Sequence, residues 1–343
     1  MPVFEEIPGS ADKPFSAEQF LSYVRRAELL WSGKPNAVEA AKWRAGRGDK
    51  WVYRGHWDAR WPLLPSAWRP IVPEFATSRK NALAPLIERF SNLPLDLAPI
   101  HKPGHPSLAE AAAWESSMIE AVLEFHLLAR ELGFPQINRK LMRPSEYDCL
   151  LVQGTKYRYN PSATWDTTEP WPFGSIDLDS GAVALAQHHG IPTHYLDWSE
   201  SPVVACHFAA SPPKEFLGEV DIAVWALRET NLEEGVTIAK ALNGPCYQFI
   251  FPPTDWNSYL RSQRGLLLDY SIYGFSFFKA HGRWPSLRDI LAPLDMEKPI
   301  LRKMILRKEQ VPELRALLDV ERITQAHLMP TLDNVASTII SRW

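Results

Sequence analysis

The stretch QHHGIPTHYLDWSESPVVACHFAA, residues 187–210, constrains the fold most, because three elements of different kinds follow one another with almost no connecting chain. A helix carrying Gln187, His188 and His189 stops at Gly190, the residue type that most readily takes a helix-closing left-handed conformation. A Pro-Thr turn leads into THYLDW, which reads as a short strand. SPVVACHFAA then reads as an apolar helix with Pro202 in its first turn, where a missing N–H is tolerated.

The same interleaving runs through the rest of the chain. In FSAEQFLSYVRRAELLW, Ser16 and Gln19 form a capping box, and Phe20, Leu21, Val24, Ala27 and Leu30 make one apolar face. KWVYRGHW alternates like a strand around Trp51 and Tyr53 and turns at Gly55. Residues 81–91 look helical, and Pro and Gly dominate 94–106. SLAEAAAWESSMIEAVLEFHLLARELGF is a long helix opened by Ser107 and Glu110 and closed by Gly133. Residues 143–176 show little periodicity and read as a long loop. EVDIAVWAL is a strand, with Val220, Ile222, Val224 and Ala226 on one face. LRSQRGLLLDYSIYG is a turn or helix end feeding another strand, and VPELRALLDVERI and TLDNVASTIISRW are helical.

Strands interleaved with helices, and no internal repeat, point to an α+β fold. The expected architecture is a mixed, bent sheet with a central cleft. An N-terminal helical segment, residues 1–48, precedes a domain running 49–343. A helical and loop insertion at about 75–175 and C-terminal helices flank the sheet.

Composition narrows the function classes. A formal charge of −3 over 343 residues argues against a general nucleic-acid binder. No run of about 20 apolar residues is present, so no membrane span is expected. The opening MPVFEEIPGSADKPF has acids where a secretory leader needs basic residues, which points to a cytoplasmic location. Cys149, Cys206 and Cys246 lie far apart and match neither a disulfide framework nor a zinc pair.

Three segments carry candidate chemistry. In YRGHW, Arg54 beside Gly55 is placed either to grip a phosphate or carboxylate with its fork of donors, or to pair with a structural acid. His188 and His189 are about 100° apart on a helix and cannot chelate one metal together. A metal site there would need a distant ligand such as His194 or Asp197. Either histidine could be a general base or a hydrogen-bonding core residue. Asp197 reads as a helix N-cap or turn acid for 201–210, and Trp198 as a stacking platform or a packing residue. In LRSQRGLLL, Gln263 near Gly265 suits contact to a ribose or base, or serves as a polar turn residue.

Taken in order, YRG, QHHGIPTHYLDWSESPVVACHFA, RSQRG and LMPTLDNVAS resemble the FRG-domain family, whose core reads Gln-His-x-Gly-x-Pro-Thr-x-x-Leu-Asp-Trp. The resemblance spans about residues 50–340 and is weakest over 75–175. Tyr53 stands where the family has Phe, His194 where it usually has Arg, and Ser199 where it usually has Thr. The motif order is similar to that of ADP-ribosyltransferases, and this similarity implies NAD as substrate and no metal. Arg54 would hold the pyrophosphate or ribose, Ser199 would sit by the nicotinamide ribose with Trp198 nearby, and Gln263 would take the place of the usual glutamate. Tyr53, Gly55, His188, His189, Thr193, Asp197 and Gly265 would shape the binding site.

The expected function is therefore NAD-dependent ADP-ribosyl transfer or NAD hydrolysis, as a toxin or anti-phage effector in a bacterial cytoplasm. The acceptor is open. A neutral Gln263 cannot offset an oxocarbenium-like charge, a loss of roughly 3 kcal/mol, unless Asp197 or Asp269 supplies a carboxylate. Two alternatives stand beside it: a non-catalytic nucleotide or nucleic-acid sensing module, and a metal-dependent hydrolase or nuclease built on His188, His189, His194 and Asp197.

Overall fold

The computed structural model describes residues 4–8, 14–31, 50–69, 82–91, 106–134, 180–212, 219–229, 247–251, 261–294 and 298–340. Among them lie seven strands: β1 Phe4–Pro8, β2 Trp51–His56, β3 Tyr195–Ser199, β4 Ile222–Arg228, β5 Gln248–Ile250, β6 Gly265–Asp269 and β7 Leu301–Leu306. The helices are α1 Ala17–Trp31, α2 Ala84–Ser91, α3 Pro106–Glu131, α4 Ser180–His188, α5 Pro202–Ala209, α6 Ser271–His281, α7 Leu287–Leu291, α8 Val311–Val320, α9 Gln325–Leu328 and α10 Leu332–Ile340. The strands form one unclosed mixed sheet in the order β1-β7-β4-β2-β3-β6-β5. Only β1 and β7 run parallel; the other neighbours are antiparallel. The fold is α+β, as the alternation of patterns requires.

Helices cover both faces, so the central strands are apolar on both sides. Along β4, Ile222, Val224 and Ala226 join a cluster with Phe20 and Val24 of α1, Ala205 and Cys206 of α5, and Leu314 of α8. The intervening Ala223, Trp225 and Leu227 face the opposite cluster, with Trp114 and Met118 of α3 and Leu287 of α7. The period of two thus splits one strand between two cores. Each large side chain buried this way stabilises the fold by about 1.5–3 kcal/mol.

The capping box of α1 forms as its sequence dictates: Gln19 N–H donates to Ser16 Oγ at 3.2 Å and Ser16 N–H to Gln19 Oε1 at 3.1 Å. Gly133 and Gly190 close their helices with φ of 81° and 94°. The edge strand β1 and its neighbour β7 look too polar to be strands from sequence alone. Their charges pair across the ladder instead, Arg302 with Glu5 at 3.2 Å and Lys303 with Glu6 at 3.3 Å. The side chains of Ser107 and Glu110 and the 143–176 stretch lie outside the described residues. Among the described residues, no helix is long and apolar enough to cross a membrane.

Candidate functional site

The sheet has one weak seam. β2 and β3 share a single register pair, Tyr53 opposite Ser199, whereas β2 follows β4 from Trp51 to His56. Beyond that pair the ladder stops, and the chain closes the gap again further on. There Ala67 N–H donates to Thr193 O at 3.1 Å and Thr193 N–H to Ser66 Oγ at 3.1 Å. A cleft of about 610 Å³ is lined from both sides of this gap.

Arg54 spans the gap where ladder bonds are missing. Its Nη1 donates to the Asp197 carbonyl at 2.6 Å and lies 3.5 Å from Asp197 Oδ2, while Nε donates to His56 Nε2 at 3.1 Å. Arg54 lines the cleft with its side chain 14% exposed, and Nη2 makes no hydrogen bond among the described residues. His56 must be neutral at Nε2 to accept this bond. Burial, with the charges of Arg54, Arg69 and Lys303 around it, holds its pKa well below the usual imidazole range.

Thr193, Gln187 and Asp197 form one chain that ends on Arg54. Thr193 Oγ1 donates to Gln187 Oε1, and Gln187 Nε2 donates to Asp197 Oδ1 at 2.5 Å. Thr193 is fully buried and also accepts the Tyr195 N–H at 3.2 Å, so it organises the strand without reaching the cleft. Asp197 is exposed along most of its side chain (63%). It sits within β3, and Ser201 is the N-cap of α5, which corrects the expectation that Asp197 caps that helix or organises a turn.

Gly55 is also corrected. It lies inside β2 and makes no turn; a Cβ there would stand 2.1 Å from Ala205 O and 2.5 Å from Ala209 N. α5 rests directly on the strand at this point, and only glycine permits the approach. That contact puts the end of α5, with Phe208, Ser211 and Pro212, on the cleft's edge.

At the Tyr53 end, Ser199 Oγ donates to the Gln263 carbonyl at 2.6 Å and accepts the Ser201 N–H at 2.9 Å. Gln263 is 9% exposed, and its Nε2 donates to Leu328 O at 3.4 Å. Segments 195–201, 261–265 and 325–329 are thereby tied together at one point. The left-handed residue is Arg264, with φ 46°; Gly265 pairs with Ser199 and is absent from the lining. Tyr53 lines the cleft, and its hydroxyl donates to Glu28 at 3.1 Å. Burial raises the Glu28 carboxyl to about 6. Asp269 accepts the Ser271 N–H at 2.8 Å and is absent from the lining, which leaves Asp197 as the carboxylate of the cleft among the described residues.

The histidines separate. His188 lines the cleft; burial and the neighbouring His189 lower its pKa against the pull of Asp197. His189 leaves it and stacks on Phe125 at 5.7 Å. His194 is buried on the other side of the strand segment, its Nδ1 3.5 Å from Glu115 Oε1 of α3. Burial lowers its pKa, but the Glu115 carboxylate outweighs that and leaves it raised. A metal site built on His188, His189, His194 and Asp197 therefore does not assemble. Among the described residues no group of three or more His, Cys, Asp or Glu could hold a metal ion.

Trp198 lines the cleft at 3% exposure with Nε1 buried and unpartnered. Sequence reasoning missed His56, Trp57, Trp61, Arg69, Gln325 and Met329, all in the lining. The first four are an aromatic and basic run directly after YRG, a signal the sequence did contain. Met329 falls within the LMPTLDNVAS motif, whereas Gln325 enters through the tie between Gln263 and Leu328, which no spacing announces.

No curated protein and no solved structure matches the chain. A family model does match, over residues 135–217, reaching into the stretch expected to resemble the family least and stopping short of YRG and RSQRG. Its described part is 180–212, the chain of α4, β3 and α5 that forms one side of the cleft, and the protein accordingly contains an FRG domain.

Proposed function

We propose that the cleft between β2 and β3 binds NAD and that the protein breaks its nicotinamide–ribose bond, passing ADP-ribose to an acceptor or to water. One observation carries this reading. Arg54, Ser199 and Gln263, from segments far apart in sequence, line one cleft together with Arg69 and the aromatic rings of Trp57, Trp61 and Trp198. A cationic fork and π-faces in one groove suit a ligand with phosphates and planar bases.

In this reading Nη2 of Arg54 meets the pyrophosphate, and Asp197 and His56 hold the fork in place. The C–N bond breaks with its electron pair going to nicotinamide, and an acceptor oxygen or nitrogen attacks the ribose C1′ and loses its proton. The positive charge on the ribose faces Asp197, while the Gln263 amide oxygen accepts from a ribose hydroxyl. Ser199 is a positioning residue, because its proton is committed to the Gln263 carbonyl. The setting that fits NAD consumption is a toxin or anti-phage effector in a bacterial cytoplasm.

The neutral Gln263 favours a second reading, a nucleotide-sensing module that binds NAD and leaves it intact. Calorimetric titration of NAD tests what the two share. The expected result is saturable binding by the wild type that is lost in Arg54→Ala; absence of binding by the wild type rejects both.

A further inference from the structure

The strand register gives the cleft a direction. β2 and β3 run antiparallel and meet at Tyr53 and Ser199, so positions further along β2 lie progressively away from the Ser199–Gln263 end. Arg54 comes next, then His56, then Trp57, about 13 Å from Tyr53 at a strand's rise per residue. The cleft is thus graded along β2: Tyr53 beside the Ser199–Gln263 tie at one end, the guanidinium of Arg54 next, and Trp57 with Trp61 at the other.

The aromatic end is a built surface. Trp57 and Trp61 meet edge to face at 4.2 Å between ring centroids, and the His56 ring stands 6.1 Å from Trp61. The Arg69 guanidinium lies over the Trp61 ring at 5.8 Å. Trp61 lines the cleft with its ring, while its Nε1 is buried and has no hydrogen-bond partner among the described residues. The seam is closed just beyond by Ser66, Ala67 and Thr193, so a ligand filling the cleft ends against this wall.

We propose that Trp57, Trp61 and Arg69 form a purine-nucleotide subsite, which holds the adenylate half of the dinucleotide and fixes its orientation. The purine lies against the indoles, and its phosphate lies between Arg69 and Arg54. The nicotinamide ribose is then directed to Ser199 and Gln263. This rests on the NAD reading and adds which end takes which half, so that the cleft recognises two nucleotides where a mononucleotide site would recognise one.

The test is separate calorimetric titration with AMP and with nicotinamide mononucleotide, on the wild type, Trp61→Phe and Arg69→Gln. Trp61→Phe keeps an aromatic ring at the position and narrows the platform. Both variants are expected to weaken AMP about tenfold or more and to leave nicotinamide mononucleotide within twofold. Equal losses for both ligands, or wild-type binding of nicotinamide mononucleotide without AMP, overturn the subsite while the NAD reading survives. AMP binding that depends on Trp61 and Arg69, without nicotinamide mononucleotide binding, supports the subsite and defeats the NAD reading. If neither ligand binds, both fall.

Discussion

Ser199 Oγ donates to the main-chain carbonyl of Gln263 at 2.6 Å, so two of the three residues that the motif order assigns to catalysis are bound to each other through a structural hydrogen bond. Ser199→Ala leaves that carbonyl and the Ser201 N–H without partners and should cost about 1–3 kcal/mol of stability. Ser199→Thr keeps the hydroxyl and should restore it. Chemical denaturation of both variants checks this; equal stability of the alanine variant and the wild type would contradict it.

Gly55→Ala drives a methyl group into the backbone of α5, with Ala205 O at 2.1 Å and Ala209 N at 2.5 Å from the ideal Cβ. Neither neighbour is a flexible side chain, so strand and helix must separate. The expected loss is about 3 kcal/mol or more, read as a fall in melting temperature.

His56 holds Arg54 by accepting its Nε–H, which only a neutral imidazole or a similar acceptor can do. His56→Phe should weaken NAD binding about tenfold, the value of one hydrogen bond to a charged group. His56→Gln offers an amide oxygen and should recover most of the affinity. If phenylalanine and glutamine behave alike, packing and not acceptance is what position 56 supplies.

His194 faces Glu115 with a pKa raised above its ordinary value near 6.5. The native state therefore binds the proton more tightly than the unfolded chain does. Its contribution to stability is complete below about pH 6.5 and is lost as pH rises through the raised native value. His194→Leu leaves Glu115 buried alone and should cost about 3 kcal/mol at pH 6, less at pH 8. Melting curves of both proteins across that range measure the difference.

Much of the site was legible because its parts are local. Gly190 ending α4, Pro202 opening α5 and the alternation of β4 all follow from short-range rules, and they place Gln187, Asp197 and Trp198 on one stretch of chain. What the sequence concealed depends on contacts between distant segments. Asp197 looks like a helix cap until Arg54 reaches it from β2, and Asp269 looks like a spare carboxylate until it is seen accepting the Ser271 N–H between β6 and α6. β1 and β7 hide because their charges are neutralised across a ladder joining residues almost 300 positions apart. Gly55 reads as a turn because a sequence cannot say that a helix will lie on it.

Release of nicotinamide from NAD by the purified protein, with Arg54→Ala and Gln263→Ala beside the wild type, decides whether the cleft is catalytic. The wild type is expected to release nicotinamide, Arg54→Ala to lose that activity, and Gln263→Ala to fall about tenfold for one uncharged hydrogen bond to the ribose. No release by a wild type that still binds NAD would contradict the catalytic reading and leave the cleft as a nucleotide sensor.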